Sequence, residues 1–159
     1  MTTNPIQNGG FENSPDSSWT FSNSGIGTGT YSSTKAGIAA HSGSGKGRVQ
    51  LSFNTAVVNV YQTITVCPGF TYNFSGWARR LSNIGGLTCQ VAYQANGNVL
   101  ASSAFSVIPG QALSWAQSTG TLKSDTATVQ IVMTVSCPLS LGLSTTLGMY
   151  LDDVVLSLA

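Results

Sequence analysis

The run VVNVYQTITV (57–66), the turn CPGFT (67–71) and the run TYNFSGWARRL (71–81) decide the fold of this chain. In the first run Val58, Val60, Gln62, Ile64 and Val66 alternate with Asn59, Tyr61, Thr63 and Thr65. A period of two over that length belongs to a strand with one face in a core. In the second run Tyr72, Phe74, Gly76 and Ala78 share one face, and Asn73, Ser75, Trp77 and Arg79 share the other. Pro68-Gly69 supplies the turn between the two strands.

Outward from that pair the same grammar repeats. LTCQVAYQ (87–94), NVLASSAFSV (98–107), SWAQSTGTL (114–122), ATVQIVMTVSC (127–137) and LGMYLDDVVLSL (147–158) are mostly rich in β-branched and aromatic residues, and ANGN and PGQ punctuate them. No window carries an amphipathic helical stripe. The Gly/Ser-rich stretch 13–46 keeps Trp19, Phe21 and Tyr31 as isolated anchors, so it reads as one or two short strands with long loops, not as a linker. The expectation is an all-β sandwich, one domain over residues 1–159.

Composition narrows the function. Only 7% of the 159 residues are charged, with six Lys or Arg against five Asp or Glu. Six scattered cations make neither the basic face that nucleic acid requires nor a polybasic membrane anchor, so neither partner is expected. No apolar run approaches a membrane span, which predicts a soluble chain. The start MTTNPIQNGG has neither a basic n-region nor an apolar h-region, as an excised mature domain with an added Met would. The acids are Glu12, Asp16, Asp125, Asp152 and Asp153, and His41 is the one histidine. No nucleophile-elbow sequence accompanies them, so few parts are at hand for a hydrolase or lyase and a non-enzyme is expected. Three cysteines, Cys67, Cys89 and Cys137, allow one intrachain bridge. Cys89 to Cys137 is favoured in an oxidising compartment, and three buried thiols are the alternative.

Several side chains could carry binding. Glu12 follows an apolar start and Asp152 falls in an apolar terminal strand. Period two with Tyr150, Val154 and Leu156 turns Asp152 inward and Asp153 outward, and an inward carboxylate must be paired, protonated or metal-bound. Ca2+ would suit Glu12, Asp152 and backbone carbonyls; a surface Asp capping amides is the plainer reading. Trp77 and Arg79, pointing away from the core, would suit a sugar ring, with loop coverage of Trp77 as the other reading. Gln90, Gln94 and Tyr61 also alternate away from apolar neighbours. Trp19 and Tyr31 could line a groove, Trp115 reads as a buried rim residue, and His41 as a solvated loop residue. Asn73-Phe74-Ser75 is a glycosylation acceptor pattern on the same face as Trp77. A glycan there would crowd a binding site at Trp77, so one of the two readings should fail.

NGGFE (8–12), YQTITVCPGFTYNFSGWARR (61–80) and YLDDVVL (150–156), taken in order, resemble the CenC-like carbohydrate-binding modules of the family 4/9/22 group, fungal secreted members above all. The resemblance implies a jelly-roll β-sandwich of two antiparallel sheets and a secreted protein. It implies a structural Ca2+ held by Glu12 and Asp152 with carbonyls from the N-terminal segment and HSGSGKG. It supports the Cys89–Cys137 disulfide. It implies glycan binding through aromatic and polar residues, Trp77 matching the W of the family's motif. Together with the residue pattern, the expectation is a non-catalytic module that recognises a neutral polysaccharide, a β-glucan or xylan, through Trp77, Arg79, Gln90, Tyr61, Tyr31 and Trp19. A tethered glycoside hydrolase is the partner domain it suggests, and a structural or interaction domain without sugar binding is the competing class.

Overall fold

In the computed structural model the chain folds into two five-stranded antiparallel sheets packed face to face. The structure describes residues 4–25, 27–52, 56–81, 88–106, 112–138 and 147–159. Leu87 and Val107, at the ends of two of the runs above, lie outside them. The strands are β1 (Thr20–Gly25), β2 (Gly29–Thr34), β3 (Lys46–Leu51), β4 (Ala56–Thr65), β5 (Thr71–Arg80), β6 (Thr88–Ala95), β7 (Asn98–Ser106), β8 (Ala116–Lys123), β9 (Thr128–Ser136) and β10 (Leu147–Leu158). Sheet A has the order β1-β4-β9-β6-β7 and sheet B the order β2-β3-β10-β5-β8. Neighbours in a sheet are mostly distant in sequence, as in a jelly roll.

Alternation survives from sequence to structure. Val58, Val60 and Ile64 of β4 are buried, as are Tyr72, Phe74 and Ala78 of β5. The 13–46 stretch supplies β1 and β2. It also runs into β3, which the sequence reading did not separate: Gly45 and Gly47 dilute the alternation of Val49 and Leu51, both buried, with Arg48 and Gln50. Gly76 has a packing reason. A Cβ there would lie 2.9 Å from the ring of Tyr93, which projects from sheet A and meets Phe74 with ring centroids 5.0 Å apart. The missing side chain therefore lets an aromatic ring fill the space between the sheets.

Cys89 and Cys137 form a disulfide. They stand one step beyond the β6–β9 pair Gln90–Ser136, on adjacent strands, and both are fully buried. The bridge joins two strands of sheet A that are 48 residues apart in sequence.

Candidate functional site

The six residues singled out for ligand binding fall at three places. Trp77 and Arg79 lie on the outer face of sheet B, Tyr61 and Gln90 on the outer face of sheet A, and Trp19 and Tyr31 at the edge where β1 approaches β2.

The Trp77 end of the outer face of sheet B is occupied by a loop from its own chain, while Asn73, Thr119 and Thr121 at its other end stay exposed. Glu12 Oε1 accepts the amides of Ser44 at 2.8 Å and Gly45 at 2.9 Å, and Oε2 accepts the Ser44 hydroxyl at 2.8 Å. Those amides hold the Glu12 carboxyl well below its ordinary value, at about 2. Gly43 sits at φ +59°, and a Cβ there would collide with the Glu12 carboxylate, so the turn needs glycine. Asp152 Oδ2 accepts the amides of His41 at 2.7 Å and Ser42 at 3.3 Å. Asp153 accepts the Ser42 hydroxyl at 2.7 Å and lies 2.6 Å from His41 Nδ1. The imidazole is stacked on Trp77, centroids 3.7 Å apart, with Trp115 edge-on at 5.9 Å. His41 is thus half-buried and held, a correction to its reading as a solvated loop residue. A lone His in a Gly/Ser run gave no sign of the two indoles that receive it.

Asp152 needs a second correction. It is fully buried, yet it faces away from the core. In the register of β10 on β5, Leu151 opposes Ala78 and Asp152 opposes Trp77, then the pairing shifts to Val155 opposite Ser75. Paired residues on neighbouring strands share a face, so Asp152 lies with Trp77 under the loop. Two residues, Asp153 and Val154, stand against Gly76 alone. Asp153 adopts φ +45°, a β-bulge that lets Leu151 and Val154 both reach the core. Strict period two cannot anticipate that insertion. Burial raises the Asp152 carboxyl to about 6, the Asp153 charge adding to it against the pull of the loop amides.

The outer face of sheet A is different. Its strands contain no Asp, Glu, Lys, Arg or His at all. Its cross-strand rows read Thr20–Tyr61–Val132–Gln94, Ser22–Asn59–Thr134–Ala92–Ser102 and Ser24–Val57–Ser136–Gln90–Ala104. Tyr61 is half-buried and Gln90 exposed. They sit two strands apart and four residues out of row, about 10 Å across the sheet and about 13 Å along it. The Thr134 hydroxyl donates to Asn59 Oδ1 at 2.8 Å, so part of this polar lining is pre-oriented. Asn59 and Thr134 were not singled out from sequence, because only strand order brings β9 beside β4.

Thr20 continues from this face into a groove of about 460 Å³ at the sandwich edge, walled by Phe21, Tyr31, Trp19 and Asp16. Trp19 is mostly a core residue, 4% exposed, stacked against Phe11, with its indole N–H donating to the Asn8 carbonyl. Tyr31 donates to Asp16 Oδ2 at 2.7 Å, and burial with that carboxylate pushes the phenol pKa upward. Phe21 is 41% exposed and is the ring most open to a ligand.

No family model matches the sequence, and no curated protein matches it. Solved structures do share its fold. A family 61 carbohydrate-binding module in complex with β-1,4-galactotriose matches with TM-score 0.62 and 18% identity, over 98% of this chain and 99% of that one. A Stig cyclase from Fischerella sp. TAU matches with TM-score 0.62 and 17% identity, over 98% and 96%. The enzymatically active domain of tailspike protein 4 of bacteriophage CBA120 matches with TM-score 0.59 and 22% identity, over 99% of this chain. The chain spans only 22% of that tailspike's length. A family 4 module and a family 22 xylan-binding domain from Paenibacillus barcinonensis have the fold too. The fold is therefore that of carbohydrate-binding modules, and it also hosts enzymes.

Proposed function

We propose that this chain is a non-catalytic carbohydrate-binding module that recognises a neutral polysaccharide, a β-glucan or a xylan, on the outer face of sheet A. The observation that carries the reading is the absence of any charged residue or histidine from all five strands of that sheet. Hydroxyls and amides there surround the half-buried ring of Tyr61. A neutral chain of sugars offers apolar C–H faces to such a ring and hydroxyls to Gln90, Gln94 and Asn59. The edge groove, with Phe21, Tyr31 and Asp16, extends the same track past Thr20. Trp77 presents its ring to His41, so in this reading it and Arg79 belong to the covered face.

The acids support binding over catalysis. Glu12 and Asp152 accept loop amides, Asp153 accepts Ser42 and meets His41, and Asp16 accepts Tyr31 and the Ser18 amide. Each of these four carboxylates holds the fold together where it stands. The disulfide suits an oxidising compartment, and with it a secreted parent protein that carries a glycoside hydrolase domain.

Affinity electrophoresis against a polysaccharide panel tests the proposal. Retardation by a neutral glucan or xylan, lost in Tyr61→Ala and kept in Trp77→Ala, supports it. No retardation by any glycan, or loss only in Trp77→Ala, sinks it.

A further inference from the structure

The sequence resemblance assigns a Ca2+ ion to Glu12 and Asp152, but the groups gathered there are donors. Glu12 receives two amides and a hydroxyl, with Lys35 Nζ 3.9 Å from Oε2. Asp152 receives two amides on Oδ2 and the Asp153 amide at 2.8 Å on Oδ1. A calcium ion needs six to eight oxygen lone pairs at 2.3–2.6 Å. Loop 41–45 instead turns N–H groups toward both carboxylates, an arrangement that satisfies anions.

Beside them lies a cation supplied by the chain. Lys46 is fully buried, 0% exposed, and its Nζ has no hydrogen-bond partner among the described residues. An ammonium placed so would be costly without a compensating charge. Strand pairing shows where that charge is. Leu151 of β10 opposes Gly47 of β3, so the next step of the antiparallel register sets Lys46 against Asp152. Burial lowers the Lys46 ammonium from its ordinary range, and the Asp152 carboxylate works against that shift. Nζ also stands 5.5 Å from the centroid of the Tyr150 ring, within reach of a cation–π contact. Tyr150 is itself on the outer face, paired with Arg79 and Arg48. Lys46, Tyr150 and Asp152 therefore form one covered cluster beneath the loop.

We propose that the Lys46 ammonium takes the place of a structural calcium ion: it offsets the Asp152 charge from below while the His41 and Ser42 amides close over that carboxylate and the Ser44 and Gly45 amides close over Glu12, so the loop is fixed without metal. Glu12 and Asp152 are then two anchor points of a clamp whose positive charge is covalently part of β3. The inference is independent of the glycan reading, since it concerns the opposite face.

Thermal unfolding, followed without polysaccharide, tests it on the intact protein. Wild type purified without chelator should carry no stoichiometric calcium on elemental analysis. Its Tm should be the same in EDTA and in millimolar Ca2+. Lys46→Met, which keeps most of the volume and removes the charge, should melt several degrees lower in both. One equivalent of bound calcium, or a wild-type Tm that falls by several degrees in EDTA and returns with Ca2+, overturns the proposal, since an ion bound only by the folded state must raise its stability. So does a Lys46→Met protein that melts with wild type. The wild-type measurements alone decide the matter if that variant does not fold.

Discussion

Sheet A carries no acid, base or histidine on any strand, whereas the strands of sheet B carry Lys46, Arg48, Arg79, Arg80, Lys123, Asp152 and Asp153. The two faces are closed off differently as a result. At the Trp77 end of sheet B, Asp152 and Asp153 hold loop 41–45 down over the indole. On sheet A nothing charged is available to recruit such a loop, and its hydroxyls and amides stay open around Tyr61. Asp152, Asp153 and Lys46 thus mark the covered part of one face, and the proposed function assigns its neutral ligand to the other.

The largest effect is expected at the disulfide. Replacing Cys89 and Cys137 by Ala releases a 48-residue loop within sheet A. Chain-entropy considerations put the loss at about 4 kcal/mol, read from urea melts of the oxidised and substituted proteins. Glycan binding at the remaining folded population should weaken with it, because β6 carries Gln90 and Gln94. Next comes Gly76→Ala, whose Cβ would crowd Tyr93 at 2.9 Å. Overpacking of that kind costs roughly 1–3 kcal/mol and should lower Tm without moving either outer face.

Paired substitutions address the two faces directly. Tyr61→Ala should weaken polysaccharide binding about tenfold, near 1.4 kcal/mol, with little change in Tm. Trp77→Ala should do the reverse, since it removes the surface on which His41 rests. If both variants lose binding equally, the distinction between the faces is wrong.

Acid titration separates the two anchors of the clamp. Glu12 is lowered from 4.5 to about 2, so the stability it gives is complete above pH 4.5 and is lost as pH falls toward 2. Asp152 is raised from 3.8 to about 6, so the folded state holds its proton more tightly and stability falls as pH rises from about 4 through 6. Melts of Glu12→Gln should show the loss below pH 4.5 abolished. Melts of Asp152→Asn should show the decline between pH 4 and 6 abolished. The smallest effect is expected from Asn73→Gln. Asn73 is exposed on the outer face of sheet B, so a glycan there leaves the outer face of sheet A clear, and removing the acceptor should not change polysaccharide retardation.

Most of the architecture was legible from alternation, because burying one face of a strand requires every second residue to be apolar. β4, β5, β6, β7, β8, β9 and β10 follow the runs read from sequence to within a few residues. β3 was hidden because glycines lack the side chains that make alternation visible. The site was legible in part. Tyr61 and Gln90 could each be assigned to a polar face, but not to the same face, since that depends on β9 lying between β4 and β6. Asp152 was placed in the core because a single bulge at Asp153 reverses the side of every residue before it.

Before any strand is paired, the chain already carries its period-two grammar and its poverty of charge. Each is a property of local order or of composition, and needs no knowledge of neighbours. The segregation of that charge onto one sheet was decided only by tertiary structure. Strands adjacent in the chain alternate unpredictably between the two sheets, so pairing order alone left one outer face uncharged and gave the other a buried lysine and the carboxylates that accept the loop amides.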